Sequence, residues 1–299
     1  GPAGSAGAVV LEAFRARLGE LLALDAAVRR DEPDSVHRMR VTARRLRSLL
    51  KANRRLFDRQ GVERPTAELR WLGQVLGRAR DQEVLGERLV ALVDAVPVAL
   101  RDGTLRGRLT EHYARGYRHA WREAVAELDG GRYFALLDGL DAFAADPPLR
   151  RRRAARDARE HLSATLRREQ RRTVERLDHA LDQEPGPGRD RALHRARKAA
   201  KRARYTADEA RTGLSGRAAK RAARFAGRTK KLHKALGTHQ DTVVARQELV
   251  ALAGSREGRR DAFAHGVLHE RQRQTAEAVL VPLPGLRRRA ARRGLSRLS

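Results

Sequence analysis

Apolar residues recur at spacings of three and four through almost the whole chain, and no stretch alternates with period two. That pattern predicts amphipathic helices throughout and no sheet, an all-α protein. Val10, Phe14, Leu18, Leu21 and Leu22 share one side of a first helix over about 8–30. Asp31-Glu32-Pro33-Asp34-Ser35 interrupts it, and Asp34 or Ser35 is placed to cap a second helix reaching about residue 57. A turn is expected at 61–65, then a helix through Leu69, Leu72, Val75 and Leu76 that Gly77 ends, then another over 81–95. Pro97 and Gly103 mark a loop. Helices follow over 104–128, 132–145 and 148–183, up to the clearest break, Glu184-Pro185-Gly186-Pro187-Gly188. Beyond it the pattern predicts helices at 189–212, 216–236, 240–253 and 256–281. Short connections favour antiparallel neighbours in bundles.

The second predicted helix carries two stripes. Val36, Met39, Ala43, Leu46 and Leu50 form an apolar face, while His37, Arg40, Arg44, Arg47 and Lys51 line up beside it. A solvated basic helix scatters its charge around the exposed side. Here the cations follow the edge of the face to be buried, where they can look into a groove between packed helices.

The arrangement occurs twice. The segment 193–205 matches without a gap at an offset of 157, so that His194 falls on His37, Arg197 on Arg40, Lys201 on Arg44, Arg202 on Arg45 and Arg204 on Arg47. Lys198 belongs to the same segment, and Asp208 stands where Lys51 does in the first copy. A second element, 72–84, matches 232–244 at an offset of 160, including Leu76-Gly77 with Leu236-Gly237 and Asp81 with Asp241. Read locally, each glycine ends a helix and each aspartate caps the next, giving a tight αα-hairpin. Two repeats, about 8–145 and 148–281, therefore make up one domain over about 8–285. Residues 1–7 read as a flexible start, with Gly1-Pro2 set aside as a candidate expression scar. Residues 282–299 read as a basic tail carrying Arg287, Arg288, Arg289, Arg292 and Arg293.

Composition sharpens the functional reading. Lys plus Arg number 65 against 37 Asp plus Glu, a formal charge of +28, which calls for a polyanionic partner. Hydrophobic residues at 41% and their periodicity indicate a folded protein rather than a basic disordered segment. Without cysteine there is no disulfide or thiolate chemistry. No apolar run approaches the roughly 18 residues of a membrane span. Aromatics at 4% make base stacking a poor binding mode. Trp71 and Trp121 fit helix packing.

At the two stripes the chain resembles the CHAD (conserved histidine α-helical domain) family. The resemblance rests on His-x-x-Arg-x-x-x-Arg-Arg-Leu-Arg from His37 to Arg47 and His-x-x-Arg-x-x-x-Lys-Arg-x-Arg-Tyr from His194 to Tyr205. Each is followed by Leu-Gly-x-x-x-Asp-x-x-Val, at Leu76 to Val84 and Leu236 to Val244. It implies two helical bundles related by an internal pseudo-twofold, a basic channel between them, and binding of inorganic polyphosphate there. Ala203 stands where the second motif usually carries Leu, which predicts closer packing. The Glu-x-Glu-x-Lys signature of the triphosphate-tunnel enzymes joined to some relatives is absent from the sequence, favouring a stand-alone, non-catalytic binder.

The chemistry agrees with that implication. Polyphosphate offers repeated charge and no base edges, so its receptor needs a long row of N–H donors. Arg supplies forked bonds and Lys a mobile point charge. Donors about 5–6 Å apart at i,i+4 are a fair match to every second phosphate of an extended chain. The candidate ligands are His37, Arg40, Arg44, Arg45, Arg47, Lys51, His194, Arg197, Lys198, Lys201, Arg202 and Arg204, with Arg80, Lys230 and Lys234 as outlying candidates. Arg45 and Arg202 lie on the far side of their stripes and either reach the channel or pair with acids. Surrounding cations should keep His37 and His194 neutral in the empty site, and bound phosphate should protonate them, so that binding tightens at mildly acid pH.

Other features read as structural. Arg150 to Arg153 and Arg167, Arg168, Arg171 and Arg172 have acids nearby and are expected at the surface. Asp261, His265 and His269 share a helix face but lack a fourth ligand, and are expected to be exposed polar residues rather than a metal site. No catalytic residue and no cofactor is expected. The expected location is cytoplasmic, with polyphosphate granules as a candidate destination. A nucleic-acid-binding helical protein is the alternative that the charge alone equally permits, with weak non-specific binding in any case. An enzyme acting on phosphate polymers would need an acidic metal cluster that the sequence does not offer.

Overall fold

The computed structural model describes residues 4–97, 99, 102–255, 258–292 and 294. Among them every regular element is helical: α1 Ala6–Ala23, α2 Asp25–Arg29, α3 Ser35–Ala52, α4 Arg59–Asp94, α5 Leu105–Leu128, α6 Gly131–Ala145, α7 Arg151–Ala154, α8 Ala158–Leu181, α9 Pro187–Thr212, α10 Gly216–Gly254, α11 Ala262–Leu280 and α12 Leu283–Ala291, with 3-10 turns at Arg54–Leu56 and Gly258–Asp261. The two cationic stripes fall on α3 and α9.

The apolar stripes seek one another in layers. In the first half α1, α3, α4 and α6 enclose Phe14, Met39, Leu46, Leu50, Leu72 and Leu76. The Phe143 ring packs at 4.9 Å from Phe14 and 5.2 Å from Phe57. Burying each such side chain contributes about 1.5–3 kcal/mol. In the second half α9 presents alanine. Ala203, Ala207 and Ala210 meet Leu162 and Leu166 of α8 and Ala222 and Phe225 of α10. Alanine lets helix axes approach closely, as the replacement at Ala203 predicts. A further cluster draws on both halves: Leu89 and Val93 of α4 and Leu105 and Leu109 of α5 pack with Ala245 and Leu249 of α10 and Leu268 of α11.

Several sequence expectations give way to long-range packing. Gly77 and Gly237 do not end helices: α4 runs unbroken for 36 residues and α10 for 39. Nor does a turn form at 61–65. α4 already passes through Gly61 and Pro65, and a Cβ at Gly61 would lie 2.4 Å from the Pro148 ring, so the glycine serves a close crossing. Neither Asp34 nor Ser35 caps α3 through its side chain. Asp34 takes a left-handed φ of 60° without a capping bond, and the Ser35 hydroxyl is buried without a partner. The helix expected over 148–183 divides into α7 and α8, and Asp157 caps α8 by accepting from the Glu160 N–H at 2.9 Å.

The chain's ends also differ from expectation. Residues 1–3 lie outside the described residues, but 4–7 are held. Ser5 caps α1, and the Ala6 N–H donates to the Arg156 carbonyl at 2.8 Å. The segment from Pro282 forms α12, whose Leu283 is buried and whose Arg287 binds both Asp178 carboxylate oxygens, at 2.7 and 2.6 Å. Arg293 and residues 295–299 lie outside the described residues. Trp121 packs as expected and donates its Nε1–H to the Val28 carbonyl at 2.8 Å.

Candidate functional site

Helices α3 and α9 pack against each other, and this contact brings their cationic stripes together. The Arg44 guanidinium donates to the Tyr205 hydroxyl at 3.3 Å. Tyr205 is buried, and the guanidinium carbons of Arg44, Arg45 and Arg204 stand 5.9, 5.6 and 5.8 Å from its ring centre. A ring face accepts cations that a low-dielectric interior would otherwise repel.

The charge cluster spans both halves of the chain. Lys201 of α9 is surrounded by Arg40 and Arg44 of α3 and by Arg197 and Arg204 of its own helix. Burial first, then these four cations, pulls its ammonium down to about 6. His233 of α10 faces Arg197, Lys201, Arg204 and Arg44, and burial followed by those charges holds its imidazole down at about 3. Arg197 is lowered by burial, with Asp241 acting against it and Arg44 and Arg40 reinforcing it. At the C-terminal end of α3, burial and then Arg70 and Arg44 lower Arg47, and burial and then Arg47, Arg202 and Arg70 lower Lys51.

The repeated glycines and aspartates belong to this cluster. A Cβ at Gly77 would sit 3.4 Å from the Arg40 guanidinium nitrogens, and one at Gly237 would sit 3.5 Å from the Arg197 Nε. Each glycine thus leaves a bare strip of helix across which an arginine lies. Asp81 pairs with Arg40 at 3.0 Å, and Asp241 acts on Arg197 while bonding Arg88 at 3.2 Å. The histidines match in the same way. Arg80 is the charge that acts most strongly on His37, and Gln240, at the equivalent position by the offset of 160, hydrogen-bonds His194. Both imidazoles are lowered, first by burial and then by neighbouring cations, so burial outweighs the repulsion expected from the sequence.

Carboxylates stand at the margins of the cluster. Arg202 donates from its Nε to the buried Glu169 at 2.6 Å, while one of its terminal guanidinium nitrogens is buried without a partner. Arg204 pairs with Asp208 at 3.5 Å, and Arg80 with Glu83 at 2.6 Å. Among the described residues Arg44, Arg45, Arg47, Lys51, Lys198 and Lys201 pair with no carboxylate. The Nε–H groups of Arg44 and Arg197 are buried without a partner. Lys198 is exposed beside His194. Lys230 and Lys234 are exposed on α10, and no contact draws them into the cluster.

Three members were not among the sequence candidates. Arg70 was legible, because the offset of 160 places it on Lys230. Tyr205 stood inside the motif but reads there as a core aromatic. His233 aligns with Gly73, so the repeat gave no signal for it. Asp261 and His265 depart from the expected exposure: they are 3% and 2% exposed, and Asp261 pairs with Arg108. Among the described residues no group of three or more His, Asp or Glu could hold a metal ion, and no helix is long and apolar enough to cross a membrane.

Comparison with known proteins places this geometry. Two uncharacterized Mycobacterium tuberculosis proteins, MT2285 of strain CDC 1551 and Rv2226 of strain H37Rv, are each 37% identical over 273 residues, 90% of this chain. The chain spans about half the length of these relatives, 50% in both cases. Among solved structures, PptA from Streptomyces chartreusis aligns with a TM-score of 0.75 at 21% identity, over 94% of this chain and 99% of that one. The CHAD domain from the plant Ricinus communis aligns at 0.73 and 22%, over 96% and 92%. These likenesses establish the shared all-α fold. The family model of the CHAD domain matches residues 12–250, and the chain belongs to the CHAD domain family.

Proposed function

We propose that the chain binds inorganic polyphosphate, without catalysis, in a basic channel between α3 and α9, and that it serves to anchor to or organise the polymer at cytoplasmic polyphosphate granules. The observation that carries this reading is the meeting of the two stripes around Lys201, with Arg40 and Arg44 from one half and Arg197 and Arg204 from the other. A folded chain pays for crowding cations together, and a repeating anion offsets that cost along the whole row. Arg40, Arg44 and Arg47 follow one helix edge, so a ligand with charge at every unit engages all of them. The shortage of free aromatic faces disfavours single-stranded nucleic acid, since Tyr205 is already covered by three guanidiniums.

The test is competition at equal phosphate concentration. Long-chain polyphosphate should displace duplex and single-stranded DNA, and DNA should not displace polyphosphate. Arg44→Ala with Arg197→Ala should weaken polyphosphate binding more than 100-fold, since each charge-assisted contact is worth about 1.5–3 kcal/mol. Equal displacement in both directions would instead favour non-specific polyanion binding. Phosphate release on incubation with divalent metal would overturn the non-catalytic assignment.

A further inference from the structure

A second cationic cavity, of about 200 Å³, lies where the 3-10 turn at Arg54–Leu56 meets α7 and the start of α8, and none of its described lining residues is one of the α3–α9 cations. Arg55, Arg153, Arg156, Arg168 and His161 line it, with Glu160 the one carboxylate among the described lining residues. Elsewhere on the surface arginines hold acids: Arg132 with Glu68, Arg150 with Asp58, Arg273 with Glu270. Among the described residues the four arginines of the cavity form no such pair. Arg153 donates to the Arg55 carbonyl at 3.4 Å and Arg168 to the Thr165 hydroxyl at 2.8 Å, which positions both without neutralising either.

The frame around the cavity is fixed from both ends. The Asp58 N–H donates to the Pro148 carbonyl at 2.8 Å and the Arg150 N–H to the Leu56 carbonyl at 2.7 Å. At the other end, Ala6 donates to Arg156 at 2.8 Å and Ala158 to Gly4 at 3.1 Å. The segment 148–158, which bears Arg153 and Arg156, is thereby stitched to the first half of the chain. His161 is oriented as well. Asn53 donates its amide N–H to the Leu49 carbonyl at 3.0 Å, so its oxygen faces His161 Nε2 at 2.8 Å and that nitrogen must carry the proton. Burial, then Arg168 and Arg156, holds the imidazole neutral at about 4. Its Nδ1 is therefore unprotonated in the empty cavity. Burial followed by Arg55 lowers Arg168 too, with Glu169 acting against and Arg54 and Arg171 adding to the effect. Four guanidiniums gathered around one small space, with a neutral imidazole fixed at its wall, make a receptor for a compact anion. The volume falls below the roughly 300–1,000 Å³ of ordinary small-molecule sites.

We propose that this cavity is a separate binding site for a compact phosphate anion of pyrophosphate size, held by Arg55, Arg153, Arg156 and Arg168, which clamps the segment 148–158 to the first half of the chain. Such an anion is either free in solution or the end of a longer phosphate chain, and the recognising chemistry is the same. The site does not depend on the polymer-binding reading of the α3–α9 cluster.

The test titrates the full chain with sodium pyrophosphate at constant ionic strength, following heat of binding, thermal midpoint and the imidazole NMR signals of His161. Wild type is compared with Arg153→Ala/Arg156→Ala, whose exposed side chains can be removed without disturbing the core, and with Arg132→Ala/Arg273→Ala, which removes the same charge from exposed surface pairs outside both clusters. In wild type the midpoint should rise and the His161 signals should move. Arg153→Ala/Arg156→Ala should bind at the cavity at least tenfold more weakly with His161 silent, while Arg132→Ala/Arg273→Ala should behave as wild type. Displacement of pyrophosphate from the cavity by long-chain polyphosphate would identify a chain end as occupant, and simultaneous binding a free anion. Unchanged binding in Arg153→Ala/Arg156→Ala, equal loss in Arg132→Ala/Arg273→Ala, or unmoved His161 signals in wild type would overturn the site. Polyphosphate failing to bind while His161 still responds would remove only the polymer reading.

Discussion

On the proposed reading of the α3–α9 cluster, Lys201 would make polyphosphate binding proton-linked. With the ammonium at about 6 in the empty site, about a tenth of molecules carry its charge at pH 7 and about a hundredth at pH 8. A bound polyanion brings negative charge against it and restores the proton. The restoration costs about 1.4 kcal/mol at pH 7 and about 2.7 kcal/mol at pH 8, a factor of about ten in affinity per pH unit. Affinity should therefore rise about tenfold for each unit from pH 8 towards 6 and flatten below, with close to one proton taken up per site at pH 8. Calorimetry in two buffers of different ionisation enthalpy measures that uptake directly. A long chain is the right ligand, because its internal phosphates do not titrate in this range. Lys201→Arg keeps the charge at every pH and should shallow the slope to what His37 and His194 contribute. Lys201→Gln should bind weakly with the same shallow slope. Stability of the empty protein runs the other way. The unfolded chain binds more protons than the folded one between about pH 6 and the ordinary lysine value near 10.4, so folding stability gains as pH rises through that window. Wild-type affinity constant from pH 8 to 6, or an undiminished slope in Lys201→Arg, would refute the linkage.

Other perturbations separate scaffold from site. Gly86→Ala would put a Cβ 2.6 Å from Tyr113 Cβ, an atom no rotamer change can move aside, and should cost about 1–3 kcal/mol in denaturant unfolding. Gly77→Ala meets the Arg40 guanidinium at an ordinary 3.4 Å and should gain up to about 1 kcal/mol from helix propensity, whereas Gly77→Leu should displace Arg40 and weaken polyphosphate binding in a filter assay. Glu169→Ala strips Arg202 and Arg172 of a carboxylate only 4% exposed, and should destabilise by about 3–5 kcal/mol, read from the urea midpoint. Polyphosphate affinity should fall steeply and linearly in log–log coordinates with added salt, and each lost contact residue should shallow that slope by about one.

The sequence carried the helices and the stripes because both depend on local period. Val36, Met39, Ala43, Leu46 and Leu50 are all buried, and the cations one step round the helix converge on α9. It misplaced what depends on another part of the chain. Gly77 and Gly237 have the local form of helix ends, but each is a gap left for an arginine arriving from another helix. Asp81 and Asp241 have the form of caps but face Arg40 and Arg88. Arg168 reads as one of a surface run, yet the turn after α3 folds over it and makes a cavity. A repeat comparison could have exposed the first two misreadings, since a glycine and a cation matched in both halves suggest a shared contact. Nothing in the sequence brought His233 to Lys201 and Arg44.

The placement of acids shows how the fold tolerates such a centre. Like charges in a low-dielectric interior repel strongly, and Arg44 acts to lower Arg47, Arg197 and Lys201 alike. Relief comes from the edges: Asp81 on Arg40, Asp208 on Arg204, and Glu169 on Arg202, each one step outside the row. Apolar cohesion comes from elsewhere again, in the cross-half cluster of Leu89, Leu105, Leu249 and Leu268. Were carboxylates inside the row, the helices would pack more stably and the phosphates would have to displace them. With the acids outside, Lys201 sheds its proton instead, and the empty site lowers its own charge until an anion arrives. On the proposed reading a proton would enter with polyphosphate, so acid pH should favour the complex while disfavouring the empty fold.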